Sequence, residues 1–65
     1  MCLAVPGRVV RWIERTMPFA CADVEFGGVR RIVNMACATD AGIDDYVLVH
    51  AGIAIAQIGE AEAQR

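Results

Sequence analysis

The residues best suited to chemistry in this 65-residue chain are three cysteines and one histidine. They stand at Cys2, Cys21, Cys37 and His50. A thiolate and a neutral imidazole both bind borderline metals, and a thiolate also attacks electrophiles. The cysteine spacing matches no CxxC zinc run, and three thiols leave one unpaired in any disulfide scheme. The pattern therefore indicates isolated thiols and disfavours a zinc knuckle or a disulfide scaffold.

Cys2 is the strongest candidate, because an initiator methionine is removed when the next residue is small. The mature chain would then begin with a residue that carries both an α-amine and a thiol. The ammonium favours the thiolate, and amine and thiolate together can chelate a metal in a five-membered ring. The competing interpretation is an ordinary chain end without a role. The apolar segment Leu3–Val5 before Pro6 predicts docking of this end against the protein, which favours a functional thiol.

His50 ends an apolar run and is the only histidine of the chain. An imidazole there can supply a nitrogen to a metal or move a proton near neutral pH. The alternative is a structural histidine whose ring nitrogens bond main-chain carbonyls at a strand end. If the fold brings this strand end beside the N-terminus, Cys2 and His50 face one ligand. We expect Cys21 and Cys37 to act as small hydrophobes.

The net charge and the amino-acid composition disfavour several classes of function. The net charge is −2 and the sequence pI about 5.1, with one Trp, one Tyr and two Phe, which gives little support for nucleic-acid binding. No run of apolar residues is long enough to span a membrane, and Pro6, Gly7 and Arg8 interrupt any signal peptide. No set of side chains matches a hydrolase site. We therefore expect a soluble, cytoplasmic protein that is not an enzyme and binds neither nucleic acid nor membrane.

Short runs rich in β-branched residues predict strands. The predicted strands are Arg8–Arg15, Ala20–Phe26, Val29–Met35, Tyr46–His50 and Ile53–Ile58. Gly27-Gly28 predicts a two-residue hairpin turn, because such a turn requires positive φ, which glycine adopts without steric cost. Pro6-Gly7 predicts a turn, and Gly52 a bend or bulge. We expect a loop with at most one helical turn over Ala36–Asp45.

Five short strands in a single domain of residues 1–65 predict an all-β fold, a small closed or nearly closed OB-like barrel. Closure is favoured because a flat sheet of this size leaves exposed edges and little core. The tail Gly59–Arg65 contains helix formers but is too short to sustain a helix unaided.

Three stretches together resemble the HypC/HupF family of nickel–iron hydrogenase maturation chaperones. The first ten residues are similar to the opening signature of the family, and Val24–Arg31 resembles its central hairpin. Asp45–Ile55 resembles its C-terminal pair of strands. The resemblance extends from residue 1 to about residue 58.

The resemblance implies a five-stranded barrel that binds the maturation protein HypD. The two proteins would hold an iron centre with cyanide and carbon monoxide ligands, without a permanent cofactor, and the chaperone would carry it to the precursor of the hydrogenase large subunit. The essential family cysteine corresponds to Cys2, and the family histidine to His50, as an iron-site or interface residue. The expected partner-binding residues are Cys2, Leu3, Ala4, Val5 and Pro6.

The chain departs from the family pattern in two places. Asp44 stands before Asp45 where relatives commonly have glycine, which changes only the loop. The sequence stops at Arg65 where many relatives continue into a helix, so partner contacts made by that helix would be shortened.

The alternatives to a maturation chaperone are an OB-like nucleic-acid-binding module and a stand-alone metal or redox-thiol protein. The sequence does not separate a HypC role from a HupF role.

Overall fold

The computed structural model describes residues 4–59, which form a closed barrel of five strands. The strands are β1 (Val5–Glu14), β2 (Cys21–Phe26), β3 (Val29–Asn34), β4 (Tyr46–His50) and β5 (Ile53–Ile58). Their order around the barrel is β1-β2-β3-β5-β4, with β4 again beside β1. Residues 4–59 contain no helix, and hence none that could cross a lipid bilayer. The predicted all-β, five-stranded barrel is confirmed, whereas the predicted tail lies outside the described residues beyond Gly59.

The hairpin of β2 and β3 turns at Gly27-Gly28, as predicted. The two glycines have φ values of 56° and 91°, and Phe26 pairs directly with Val29 across the turn. The antiparallel pairing then continues without interruption to Cys21 and Asn34. Two consecutive positive φ angles match the right-handed twist of the flanking strands, so this local sequence alone sets the register.

The hairpin of β4 and β5 turns at Ala51-Gly52, where the sequence predicted a bend or bulge. Ala51 and Gly52 have φ values of 54° and 80°, and His50 pairs with Ile53. The irregularity lies further along the hairpin, where the register shifts by one residue after Leu48. The turn and the bulge are thus separate features.

The predicted turn at Pro6-Gly7 is wrong, because both residues lie inside β1. Val5 pairs with Val49 of β4, whereas the pairing of β1 with β2 begins only at Arg8. The first residues of β1 therefore have a strand neighbour on one side only. Proline is tolerated at such an edge position because its missing N–H can face away from the neighbouring strand.

The interior of the barrel is filled by small and β-branched side chains, as the abundance of alanine and valine requires. Its largest fully buried side chains are Met35, Val9, Val24, Val33 and Val47. Trp12 and Phe26 are partly buried and pack against this core. Alternate residues of β2 and β4 point inward, which is the period expected for strands with one face on a core.

The loop between β3 and β4 (residues 35–45) runs along β1 and contains no helix. Val9 donates its main-chain N–H to the Asp45 carbonyl at 2.8 Å, and Asp44 donates to the Val9 carbonyl at 2.8 Å. Further along β1, Trp12 Nε1 donates to the Ala41 carbonyl at 2.9 Å. Within the loop, Ala38 N–H donates to the Met35 carbonyl at 3.0 Å and Ala41 N–H to the Ala38 carbonyl at 3.3 Å. These are single hydrogen-bonded turns that do not continue into a helix, so the predicted loop is confirmed.

Candidate functional site

The start of β1 and the end of β4 lie side by side at one end of the barrel. Val5 pairs with Val49 and Pro6 with Leu48, in an unbroken antiparallel register. One further step in this register sets Ala4 opposite His50. We call this end the N-terminal mouth and define it by Ala4, Val5, His50 and Ile53.

The structure locates part of the partner-binding segment predicted from the sequence. Ala4 and Pro6 are half-buried at the N-terminal mouth, and the Val5 side chain is 51% exposed. Cys2 and Leu3 lie outside the described residues. Metal binding by Cys2 and partner binding by the segment stay predictions.

His50 is the last residue of β4 and is half-buried. It pairs with Ile53 across the Ala51-Gly52 turn, so the ring is carried by a tight hairpin rather than by a loop. Its place beside the start of β1 meets the geometric condition under which Cys2 and His50 would face one ligand. Whether His50 binds iron or has a structural role stays a prediction.

An apolar rim around the N-terminal mouth was not predicted from the sequence. Ile53 is 42% exposed and Ile55 48% exposed, while Ala54 between them is fully buried. The Ile-Ala alternation alone would favour the reverse assignment, with the larger side chains inside. The narrow interior of a five-stranded barrel instead accepts alanine and leaves both isoleucines outside. Clustered apolar side chains on a surface are typical of an interaction site.

The other two cysteines differ in their surroundings. Cys21 is half-buried at the start of β2, which agrees with a partly packed thiol. Cys37 is exposed, so the prediction of a core role for it is wrong. The loop that carries Cys37 buries Met35 and Ala38 and leaves Cys37 turned outward. Across residues 4–59 no three His, Cys, Asp or Glu side chains are grouped as a metal site.

Arg8 fixes the position of β1 near the mouth. Its Nη2 donates to Glu25 Oε1 at 2.8 Å, and its Nη1 donates to Asp44 Oδ1 at 2.6 Å. The bonds to Glu25 and then to Asp44 raise the pKa of Arg8 above its ordinary value. One guanidinium thereby joins three chain segments: β1, β2 and the loop before β4. Asp44, expected from the sequence to affect only the loop, thus also contacts β1.

A second group of ion pairs lies on the outer faces of β1, β2 and β3. Asp23 Oδ2 is 3.5 Å from Arg30 Nη1 and 3.9 Å from Arg11 Nε. These pairs offset part of the positive charge contributed by the arginines of the barrel.

The model of the HupF/HypC family matches residues 1–65. The chain is 38% identical to a protein of Azotobacter chroococcum named hydrogenase maturation factor HypC, over 100% of this chain and 73% of that protein. Proteins of the same name are 41% identical in Rhodobacter capsulatus, over 100% of this chain and 70% of the relative, and 38% identical in Synechocystis, over 98% and 86%. A family match over the whole chain and this level of identity lead to one conclusion: the chain belongs to the HupF/HypC family.

Proposed function

We propose that this protein is a hydrogenase maturation chaperone that binds HypD through Cys2. In this proposal its cargo is an iron unit with cyanide and carbon monoxide ligands, which it delivers to the precursor of the hydrogenase large subunit. The observation that carries the proposal is the register of β1 and β4, because it sets the start of β1 beside His50. The proposal places Cys2, two residues before Ala4 in the sequence, at the same end of the barrel as His50.

The chemistry requires a soft ligand on a chain end that a partner can reach. In this proposal Cys2, two residues before Ala4 in the sequence, supplies that ligand. A thiolate binds iron, and an imidazole beside it supplies a second ligand or a hydrogen bond to the first. Because β4 and β5 hold His50 at a tight hairpin, the imidazole is positioned before the cargo arrives, which lowers the entropic cost of binding.

The apolar rim supports a protein partner. Val5, Ile53 and Ile55 present exposed aliphatic side chains next to the mouth. Burial of such side chains drives protein association, at about 25 cal/mol per Å² of apolar surface removed from water. A partner seated there would also exclude water from the iron unit. We therefore propose that HypD contacts this rim while Cys2 enters the shared site.

The nucleic-acid alternative has less support. Of the four aromatic side chains only Phe19 is strongly exposed, at 76%, whereas Trp12 and Phe26 pack against the core. Single-strand binding needs several stacking surfaces along a basic groove. Steep salt dependence of oligonucleotide binding by the purified chain would support this alternative.

The central test is co-purification of HypD under anaerobic conditions with Cys2→Ser. We expect HypD binding to fall by at least about tenfold, equivalent to about 1.4 kcal/mol. Cys37→Ser is the matched control, because it removes an exposed thiol elsewhere and should leave binding unchanged. Normal HypD binding and normal hydrogenase maturation by Cys2→Ser would refute the proposal.

The role of His50 needs a separate measurement. In the HypD complex, His50→Gln should retain HypD and lose iron, which elemental analysis and the infrared bands of bound cyanide and carbon monoxide would report. Full iron occupancy would make His50 a structural residue. Stoichiometric iron or zinc on the isolated chain would instead favour the stand-alone metal protein.

The rim is tested by placing a charge at each of two isoleucines of comparable exposure. Ile53, which is 42% exposed, lies in the rim, so Ile53→Asp places a carboxylate there. Ile43, which is 52% exposed, lies on the loop between β3 and β4, so Ile43→Asp places the same charge outside the rim. We expect only Ile53→Asp to weaken HypD binding in calorimetry. Equal weakening by both variants would assign the effect to charge alone.

A further inference from the structure

The barrel closes between β3 and β5 through a single bridge pair, Asn34 with Ile53. On its other side β3 pairs with β2 along all six residues. Among the described strands, residues 29–33 therefore have no neighbour on the side that faces away from β2. We call residues 29–32 on this side the outer edge of β3.

The Gly27-Gly28 turn determines which main-chain groups point to the outer edge. In a two-residue hairpin the residues flanking the turn form a hydrogen-bonded pair, and such pairs alternate along the strands. The N–H and C=O groups of Arg30 and Ile32 therefore point away from β2. The hydrogen bond from Asn34 N–H to the Gly52 carbonyl, at 2.9 Å, agrees with this alternation.

The side chains along the outer edge are apolar and cationic. Ile32 is 69% exposed and Val29 48% exposed, and Arg30 and Arg31 are also exposed. Arg31 Nη1 donates to the Arg30 carbonyl at 3.0 Å, so one acceptor of the edge is covered by a flexible side chain. An exposed strand edge with main-chain donors and apolar side chains is a template for pairing with another chain.

We propose that the outer edge of β3 binds an extended, carboxylate-bearing segment of a partner protein by strand addition. This mode obtains affinity from main-chain hydrogen bonds and specificity from alternate side chains. The interface is independent of Cys2 and of the iron unit. It lies on a different strand from the N-terminal mouth.

The charge of the edge selects the occupant. A second copy of this chain would bring its own Arg30 and Arg31 against these two, and facing like charges destabilise a strand pair. A partner strand with glutamate or aspartate would instead face Arg30 and Arg31 with opposite charge, which stabilises the strand pair. It also offers Arg31 a carboxylate in place of the Arg30 carbonyl, and a charge-assisted bond is the stronger of the two. Arg31 would then release the carbonyl that the incoming strand needs.

The test measures amide hydrogen exchange of the full chain by NMR, with a short peptide that alternates glutamate and valine as the probe. The lysine–valine peptide of the same length is the control ligand. We expect the glutamate peptide to slow exchange of the Arg30 and Ile32 amides by about tenfold, corresponding to one hydrogen bond of about 1.4 kcal/mol. The Arg31 and Val33 amides already bond β2 and should not change.

Two variants separate strand addition from other binding. Ile32→Pro removes an outward N–H and leaves the bonds to β2, so it should abolish protection, whereas Ile32→Ala keeps the N–H and should retain it. Arg30→Glu with Arg31→Glu should transfer protection to the lysine peptide. Circular dichroism reports whether each variant keeps the barrel.

Three results would overturn the proposal. The first is that neither peptide slows exchange of the two amides. The second is equal protection by both peptides. The third is that the double charge reversal still binds the glutamate peptide and not the lysine peptide, which would mean that the arginines do not select the occupant.

Discussion

Gly7 lies against Val24 so closely that a Cβ added to Gly7 would stand 2.5 Å from Val24 Cγ1. The same atom would stand 2.6 Å from Phe26 Cε1. Both partners are side chains of β2 on the core side of the barrel. Gly7 is therefore the position at which β1 can approach the interior, two residues after it leaves the N-terminal mouth.

Gly7→Ala should destabilise the protein by about 1–3 kcal/mol, the usual cost of overpacking a tight core. Urea unfolding monitored by circular dichroism would measure the change. Gly42→Ala is the matched control, because the nearest atom to its added Cβ is Asp45 Oδ2 at an ordinary 3.6 Å. Equal losses from both substitutions would contradict the close approach of Gly7 to β2.

Trp12→Phe should lower the free energy of unfolding by about 1–3 kcal/mol, because it leaves the Ala41 carbonyl without its donor. Ala41 is fully buried, so no water replaces the 2.9 Å bond from the indole. Arg15→Ala serves as the comparison. It removes a guanidinium 4.4 Å from the Trp12 ring centroid and should cost about 0.5–1 kcal/mol. A larger loss from Arg15→Ala than from Trp12→Phe would assign the role of Trp12 to the cation–π contact.

Thr16→Val should raise the pKa of Glu14 toward the ordinary glutamate value. Hydrogen bonds from the Thr16 side chain, and next from its main-chain N–H at 3.0 Å, lower the pKa of Glu14 in the folded protein. Ionised Glu14 thus stabilises the fold above the unfolded pKa, and this contribution is lost as the pH falls through the lowered pKa. Carboxyl carbon NMR of Glu14 measures the shift. Thr39→Val should leave the pKa of Glu14 unchanged. An equal effect of the two substitutions would exclude the Thr16 contact as the cause of the lowered pKa.

Ala51→Asn should stabilise the protein by about 0.5–1 kcal/mol, because asparagine tolerates the left-handed conformation better than alanine. Ala51 has φ 54° and precedes Gly52 in the turn of the second hairpin. A rise in the melting temperature is the expected observation. Ala51→Val should have the opposite effect, since a β-branched side chain is poorly accommodated at positive φ. A lower melting temperature for Ala51→Asn would show that the turn is already unstrained.

The two hairpins show how far local sequence determines this fold. Gly27-Gly28 stands between two alternating runs, so the turn and the register of β2 and β3 follow from neighbouring residues alone. In the second hairpin alanine occupies the first turn position, where a glycine or asparagine would have predicted the turn. The strand bounds of β5 were nevertheless predicted correctly, because its run is confined between Gly52 and Gly59.

The errors arise where distant residues decide the outcome. Pro6 and Gly7 lie within a strand because β4 pairs with them, although the pairing of β1 with β2 begins only at Arg8. Cys37 is exposed because the loop between β3 and β4 buries its neighbours. The juxtaposition of His50 with the start of β1, and the apolar rim beside it, both depend on the β1–β4 register. No local pattern contains that information.

The single bridge between β3 and β5 has a consequence for the order in which the barrel forms. Both hairpins join residues close in the chain, so they form with little loss of loop entropy, whereas the β3–β5 seam requires both to exist first. We expect this seam to open first in unfolding, because one bridge pair holds β3 to β5 whereas four pairs hold β1 to β4. The five strands therefore form one continuous sheet whose two ends, β3 and β5, are joined only at Asn34 and Ile53. Under force, we expect the barrel to open at this seam.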